Sequence, residues 1–250
     1  MDSDSWTDLD KQDFLLVTEN IKVEDCSINI VAFRNILIAW GKEHFRPFPW
    51  RFTEDPYRIL IAEVMLHRTQ AIQVVPVYKR FIESYPDILT LSGATRKELH
   101  EILSSIGLRW RINLLQEMAA HLVTRFAGEV PRKTKELHSL PGVSDYIASA
   151  VRCFAWNLPE ALIDTNTVRI AGRLCGLEVK DSSRRNHRFR EIIHALVDPE
   201  RPREFSYALL DLANQICVKK KPGCVECPVF KYCNHASALL ANQVAGLTVA

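Results

Sequence analysis

Cys217, Cys224, Cys227 and Cys233 are separated by six, two and five residues, a crowding of thiols that points to chemistry rather than packing. In a reducing compartment clustered cysteines bind metal in preference to pairing as disulfides. Four thiolates on short loops hold either a zinc ion or an iron–sulfur cube, and ligand softness alone does not choose between them. Lys219, Lys220 and Lys221 lie inside the same loop, where they could meet phosphates while a bound metal group keeps the loop in shape. Cys26, Cys153 and Cys175 stand apart, and the latter two read as small buried hydrophobes.

Residues 140–146 read LPGVSDY and run straight into a periodic helix. A Pro141–Gly142 turn that opens a helix leaves backbone amides of Val143 and Ser144 at its tip, which suits a phosphate oxygen, although a plain turn has the same sequence. Eighteen residues beyond Tyr146 comes Asp164, in the run IDTNTVRI with Asn166 and Arg169. By itself Asp164 reads as the N-cap of the next helix. Glu63, within IAEVMLHRTQ at 61–70, shares a helical stripe with Ile59, Ala62 and Leu66, and a carboxylate on an apolar face is costly unless it is partnered. A structural ion pair would satisfy it, as would a functional role. Arg68 reads equally as a surface charge, Leu108 as a loop core residue, and Tyr146 and Trp50 as packing.

The elements that must position these groups are helices. Apolar residues recur at helical spacing in Leu99, Ile102, Leu103, Ile106, in Leu115, Met118, Ala119, Leu122, and again in Ile147, Ala150, Val151, Phe154 and Leu209, Leu212, Ala213, Ile216. Asp55 before Pro56 marks one helix start, and Thr95 with Glu98 marks another as a capping box. Strand alternation and hairpin signals are scarce, so the fold class expected is all-α. Leu158 to Ile163, with Pro159, reads as a connection between two helical units. Residues 1–27 fit the helical pattern poorly and form an N-terminal extension, and residues 237–250 form a C-terminal tail.

With 250 residues, 47% hydrophobic and 25% charged, the chain can bury a sizeable core as one or two domains. A net charge of +2 does not announce a polyanion, so a nucleic-acid footprint must come from local clusters. Arg184, Arg185, His187, Arg188 and Arg190 form one such cluster, and Arg109 and Arg111 flanking Trp110 form another, with solvated helix faces as the plain alternative. The acidic opening MDSDSWTDLD has neither a basic start nor an apolar segment, and no run is long enough to span a membrane. The location expected is cytoplasmic.

The hairpin LPGVSDY, the run IDTNTVRI and the cysteine quartet, in that order, resemble the helix-hairpin-helix DNA glycosylases of the endonuclease III superfamily, from about Phe48 to Cys233. The uneven cysteine spacing after a helix resembles that superfamily's cluster loop, which makes a structural 4Fe-4S cluster the expected cofactor. The resemblance implies a cleft between a helical barrel domain, residues 50–158, and a helical domain of residues 28–49 and 159–236 that carries the cluster. Tyr146 would come from one wall and Asp164 from the other. Asp164 would then stabilise the positive charge that builds on deoxyribose as an N-glycosidic bond breaks. One departure is Ser144, where the family hairpin usually has a second glycine.

Strand-cutting members place a lysine where this chain has Tyr146, to form a Schiff base. Its absence implies a monofunctional enzyme that uses water. Tyrosine there resembles the thymine and uracil mismatch glycosylases, whereas adenine-removing members usually carry serine. A glutamate matches Glu63 in both groups, beside the flipped base or the attacking water. Arg68 and Leu108 match the wedge residues that fill the stack when the nucleotide is extruded. The resemblance therefore implies a nucleoid-associated monomer that removes thymine or uracil mispaired with guanine in double-stranded DNA, in base excision repair. An adenine glycosylase acting opposite 8-oxoguanine is the nearest alternative; many such enzymes carry a further C-terminal domain, and this sequence ends soon after Cys233. A non-catalytic iron–sulfur protein that binds DNA or senses redox state is another.

Overall fold

Helix boundaries in the chain are written by caps and prolines. A computed structural model describes residues 22–23, 26–107 and 111–247. The α-helices among these are α1 (Ile30–Glu43), α2 (Pro56–Leu66), α3 (Ala71–Ser84), α4 (Ile88–Ser92), α5 (Arg96–Leu103) and α6 (Arg111–Phe126). They continue with α7 (Thr134–His138), α8 (Asp145–Trp156), α9 (Thr165–Cys175), α10 (His187–Leu196), α11 (Pro202–Gln215) and α12 (Asn234–Leu247). Among the described residues the fold is all-helical apart from an antiparallel pair of two-residue strands, β1 (Lys22–Val23) with β2 (Cys26–Ser27). Most of the expected N-terminal extension, the end of the tail and Leu108 with Arg109 and Trp110 lie outside the described residues.

The caps are those the sequence indicates. Asp55 accepts from the amides of Tyr57 and Arg58 while Pro56 fills the first turn of α2, and Thr95 and Glu98 close a reciprocal capping box on α5. Each satisfies amides that a helix start otherwise leaves orphaned, about 1 kcal/mol per cap.

The chain divides into two compact units. One is Pro47–Asn157. Its centre is α2, which packs against α8 and α3 and is buried from Tyr57 to Met65 except at Arg58. That burial is wider than the single stripe suggested by Ile59, Ala62 and Leu66, because neighbours cover the helix on several sides. Trp50 is core: it stacks on Phe48 and meets Tyr78 edge-on, while the Tyr57 hydroxyl donates to the Tyr85 carbonyl at 2.7 Å.

The other unit joins the segment ending at Arg46 to the chain from Leu158 onward. Phe33, Leu37 and Ile38 of α1 share one core with Phe205, Ala208, Leu209 and Leu212 of α11, and with apolar faces of α9 and α10. Gly41 lets α1 and α11 cross closely, since a Cβ there would collide with Ala208. Buried Arg34 donates to the carbonyls of Ala195 and Leu196, closing the C-terminal end of α10. Cys217, Cys227 and Cys233 pack against this core, as does Cys175. Cys153 and Cys175 are both buried, as expected of small apolar residues; Cys153 is a free thiol, whereas Cys175 is disulfide-bonded. No helix of the described residues is long and apolar enough to cross a membrane.

Candidate active site

In the first unit, α7, a six-residue turn and α8 form a helix–hairpin–helix. Gly142 has φ +80°, a left-handed conformation that glycine adopts without penalty, and its Cα faces Leu114 so closely that a Cβ would lie 3.3 Å from a Leu114 methyl. Val143 N–H donates to the Leu140 carbonyl, which tightens the turn; contrary to what the sequence suggested, this amide is therefore not one of those left for a phosphate oxygen. Ser144 sits in extended backbone and accepts from Ile147 N–H through its hydroxyl, so it serves as the N-cap of α8. The turn at this position needs a cap rather than a second glycine. Pro141, Gly142 and Ser144 line a small pocket of about 50 Å³ together with Val64 and His67 from the end of α2 and Leu114, Leu115, Met118 and Ile147.

Tyr146, half-buried, is the second residue of α8. Glu63 is 5% exposed on α2, the helix packed against α8. Arg68 is exposed in the turn between α2 and α3 with φ +62°, a conformation that costs a non-glycine residue about 1–2 kcal/mol. Such strain persists only where something else holds it. The structure thus gathers Glu63, Arg68, the hairpin and Tyr146 into one unit, and Asp164 and the four cysteines into the other.

Asp164 is the N-cap of α9. Its Oδ1 accepts from the amides of Asn166 and Thr167, both at 2.8 Å, and its Oδ2 accepts from the Asn166 side-chain amide at 2.7 Å. Thr167 returns a hydroxyl to the backbone N–H of Asp164 and donates to the Leu162 carbonyl. The carboxylate is half-buried and held on both oxygens, so its charge is fixed in place before any substrate arrives. Asn166 is itself held, since Arg169 Nη2 donates to its Oδ1 at 3.0 Å. Arg169 also donates to the carbonyls of Cys217 at 2.8 Å and Ala213 at 2.9 Å, and reaches that of Thr165. Burial lowers the Arg169 pKa from its ordinary value, and all three guanidinium nitrogens have oxygen partners, as a partly desolvated cation requires.

Cys217 follows α11, Cys224 opens a short 3₁₀ turn (Cys224–Glu226) that Cys227 caps, and Cys233 precedes α12. All four are half-buried free thiols. Burial pushes the Cys227 thiol up to about 11 and raises those of Cys224 and Cys233. Among the described residues, no three His, Cys, Asp or Glu side chains converge as the ligands of a single metal ion. As a donor set, however, four thiols in one loop suit iron–sulfur chemistry. Lys219, Lys220 and Lys221 are exposed beside them.

The sequence pattern gives no role to Asn166 or Arg169 and none to Arg173, which all lie on α9. The available signal was the spacing: Arg169 and Arg173 lie one turn apart on a single helix face.

The family described as HhH-GPD superfamily base excision DNA repair protein matches residues 61–195. The chain is 39% identical to a thymine-DNA glycosylase of Aeropyrum pernix over 82% of its own length and 94% of the relative's. It is 37% identical to a thymine/uracil-DNA glycosylase of Pyrobaculum aerophilum, covering 81% and 90% of the two chains. Among solved structures, a thermostable thymine-DNA glycosylase superposes with a TM-score of 0.79 at 31% identity, over 84% of this chain and 97% of that one.

Proposed function

Because the chain belongs to the HhH-GPD superfamily of base excision DNA repair proteins, within the endonuclease III superfamily, and is a DNA glycosylase, we propose that it hydrolyses the N-glycosidic bond of thymine or uracil mispaired with guanine. The observation that carries this reading is the Asp164 carboxylate, fixed on one oxygen by two backbone amides and on the other by Asn166. A carboxylate so held stabilises positive charge on deoxyribose as the bond to the base lengthens, without reorganising at the moment of reaction. The thymine and uracil named for two relatives of nearly full-length match support the choice of base.

Tyr146 takes the position where a Schiff-base lysine would stand, so water is the nucleophile and the strand is left intact. Glu63, buried on α2, positions the attacking water or moves a proton. Pro141, Gly142, Val143 and Ser144 present the hairpin backbone to a phosphate, and Arg68, with Leu108, fills the gap left by the extruded nucleotide. Thymine is undamaged, so selection rests on the weaker pairing that makes a mismatched nucleotide cheaper to flip. The protein acts as a monomer on double-stranded DNA. Residues 50–158 form the barrel domain, and residues 28–49 with 159–236 the domain that holds the cofactor.

Cys217, Cys224, Cys227 and Cys233 would hold a 4Fe-4S cluster, whose contribution is to clamp the loop that carries Lys219, Lys220 and Lys221. Four free thiols carried on one loop are the donor set that such a cluster would take.

The test is a panel of duplexes bearing each mismatch and common lesion, incubated with the protein, treated with alkali and scored for strand breaks. Breaks at thymine and uracil opposite guanine are expected, with none before alkali and no adduct trapped by borohydride. Breaks confined to adenine opposite 8-oxoguanine would overturn the choice of base, and no breaks anywhere would favour a DNA-binding protein without catalysis.

A further inference from the structure

Arg173 touches both the first and the last cysteine of the quartet. Its Nη1 donates to Cys217 Sγ at 3.2 Å and to the Val218 carbonyl at 2.8 Å, and its Nη2 donates to the Lys219 carbonyl at 3.2 Å. The Cys233 sulfur lies 3.4 Å from the Arg173 backbone carbonyl and donates to it while it keeps its proton; with the sulfurs deprotonated to bind metal, the bond to Cys217 is the one that remains. One residue of α9 therefore joins the two ends of a loop whose members are 44 to 60 positions away in sequence. The side chain is half-buried and lies one helical turn beyond Arg169, whose guanidinium holds the preceding carbonyls.

We propose that Arg173 closes the cysteine loop and, through its N–H···S bond to Cys217, sets how tightly the iron–sulfur group is held and how readily it is reduced; the proposal rests on the cluster reading above. Two physical effects follow from the same geometry. The fork to Val218 and Lys219 orients the arm bearing Cys217, so less chain entropy is lost when iron binds. A cationic donor on a ligand sulfur withdraws charge from it, which favours the more electron-rich form of the cluster and raises its reduction potential. A plain structural tie would give the first effect alone.

The full chain and its R173M, R173Q and R173K variants are reconstituted anaerobically with iron and sulfide. Bound iron, visible absorption, loss of iron to a chelator, electrode potential and melting temperature of the metal-free form are then compared. Iron affinity of R173M should fall about 10- to 100-fold, as is typical when an outer-sphere partner is removed, with its potential shifted to a more negative value. R173Q, which keeps a donor without the charge, should fall between. R173K keeps the charge but loses the fork, so it should recover more of the potential than of the iron retention. If R173M does not fold, R173Q and R173K still make the comparison. Unchanged potential and iron retention in folded variants would overturn the role of Arg173 while leaving the cluster intact; failure of the unaltered protein to bind iron would remove the cluster reading and this proposal together.

Discussion

The hairpin and the start of α9 achieve rigidity by different means. Around Gly142 the work is done by backbone: a left-handed glycine, a serine cap and an apolar pocket with little charge. Around Asp164 it is done by side chains, in a chain of hydrogen bonds from the carboxylate through Asn166 and Arg169 to the carbonyls of Ala213 and Cys217. A backbone surface suits contact with a phosphate, which every nucleotide carries. A fixed carboxylate needs partners with charge and direction, and these are expensive to leave unpaired.

Substitutions in the second region should therefore cut catalysis at little cost in stability, and those in the first should do the reverse. The largest effect is expected for Asp164→Asn. Asparagine caps a helix as well as aspartate does, so the melting temperature should hold, while single-turnover base release should fall by at least about 10²–10³-fold, the scale for losing a preorganised electrostatic group. Equal loss of folding and activity would mean that Asp164 is only a cap.

Asn166→Ala comes next. It removes a hydrogen bond to a charged acceptor, of about 1.5–3 kcal/mol, so the rate constant at saturating DNA should drop about 10- to 100-fold with the half-saturating DNA concentration little changed. A change in half-saturation alone would place Asn166 in binding instead.

Gly142→Ala sharpens the hairpin side. The left-handed φ and the Leu114 contact together should cost about 1–2 kcal/mol of stability by denaturant titration, and binding to undamaged duplex should weaken because the turn must open. Ser144→Ala should cost about 1 kcal/mol by the same measurement through loss of its cap. Arg68→Gly should do the opposite. Relief of the strained φ, less the added freedom of glycine in the unfolded chain, leaves a gain of about 0.5–1 kcal/mol, accompanied by slower base release from the mismatch. A stability loss would show that the Arg68 side chain holds the fold.

What could be read from residue order was whatever depends on near neighbours. The cysteine spacing, the caps at Asp55 and at Thr95 with Glu98, and the helical period of α5, α6, α8 and α11 are all set within a few residues, and so the sequence alone determined a helical chain with an aspartate N-cap at residue 164 and a thiol loop. Burial of α2 on several faces was decided only when distant segments packed. The same holds for the bonds from Arg169 and Arg173 to residues 213–219, which lie 44 to 48 positions on. A hydrogen bond has a fixed reach in space but none along the chain, so these partners become identifiable only once tertiary structure lays α9 against the end of α11.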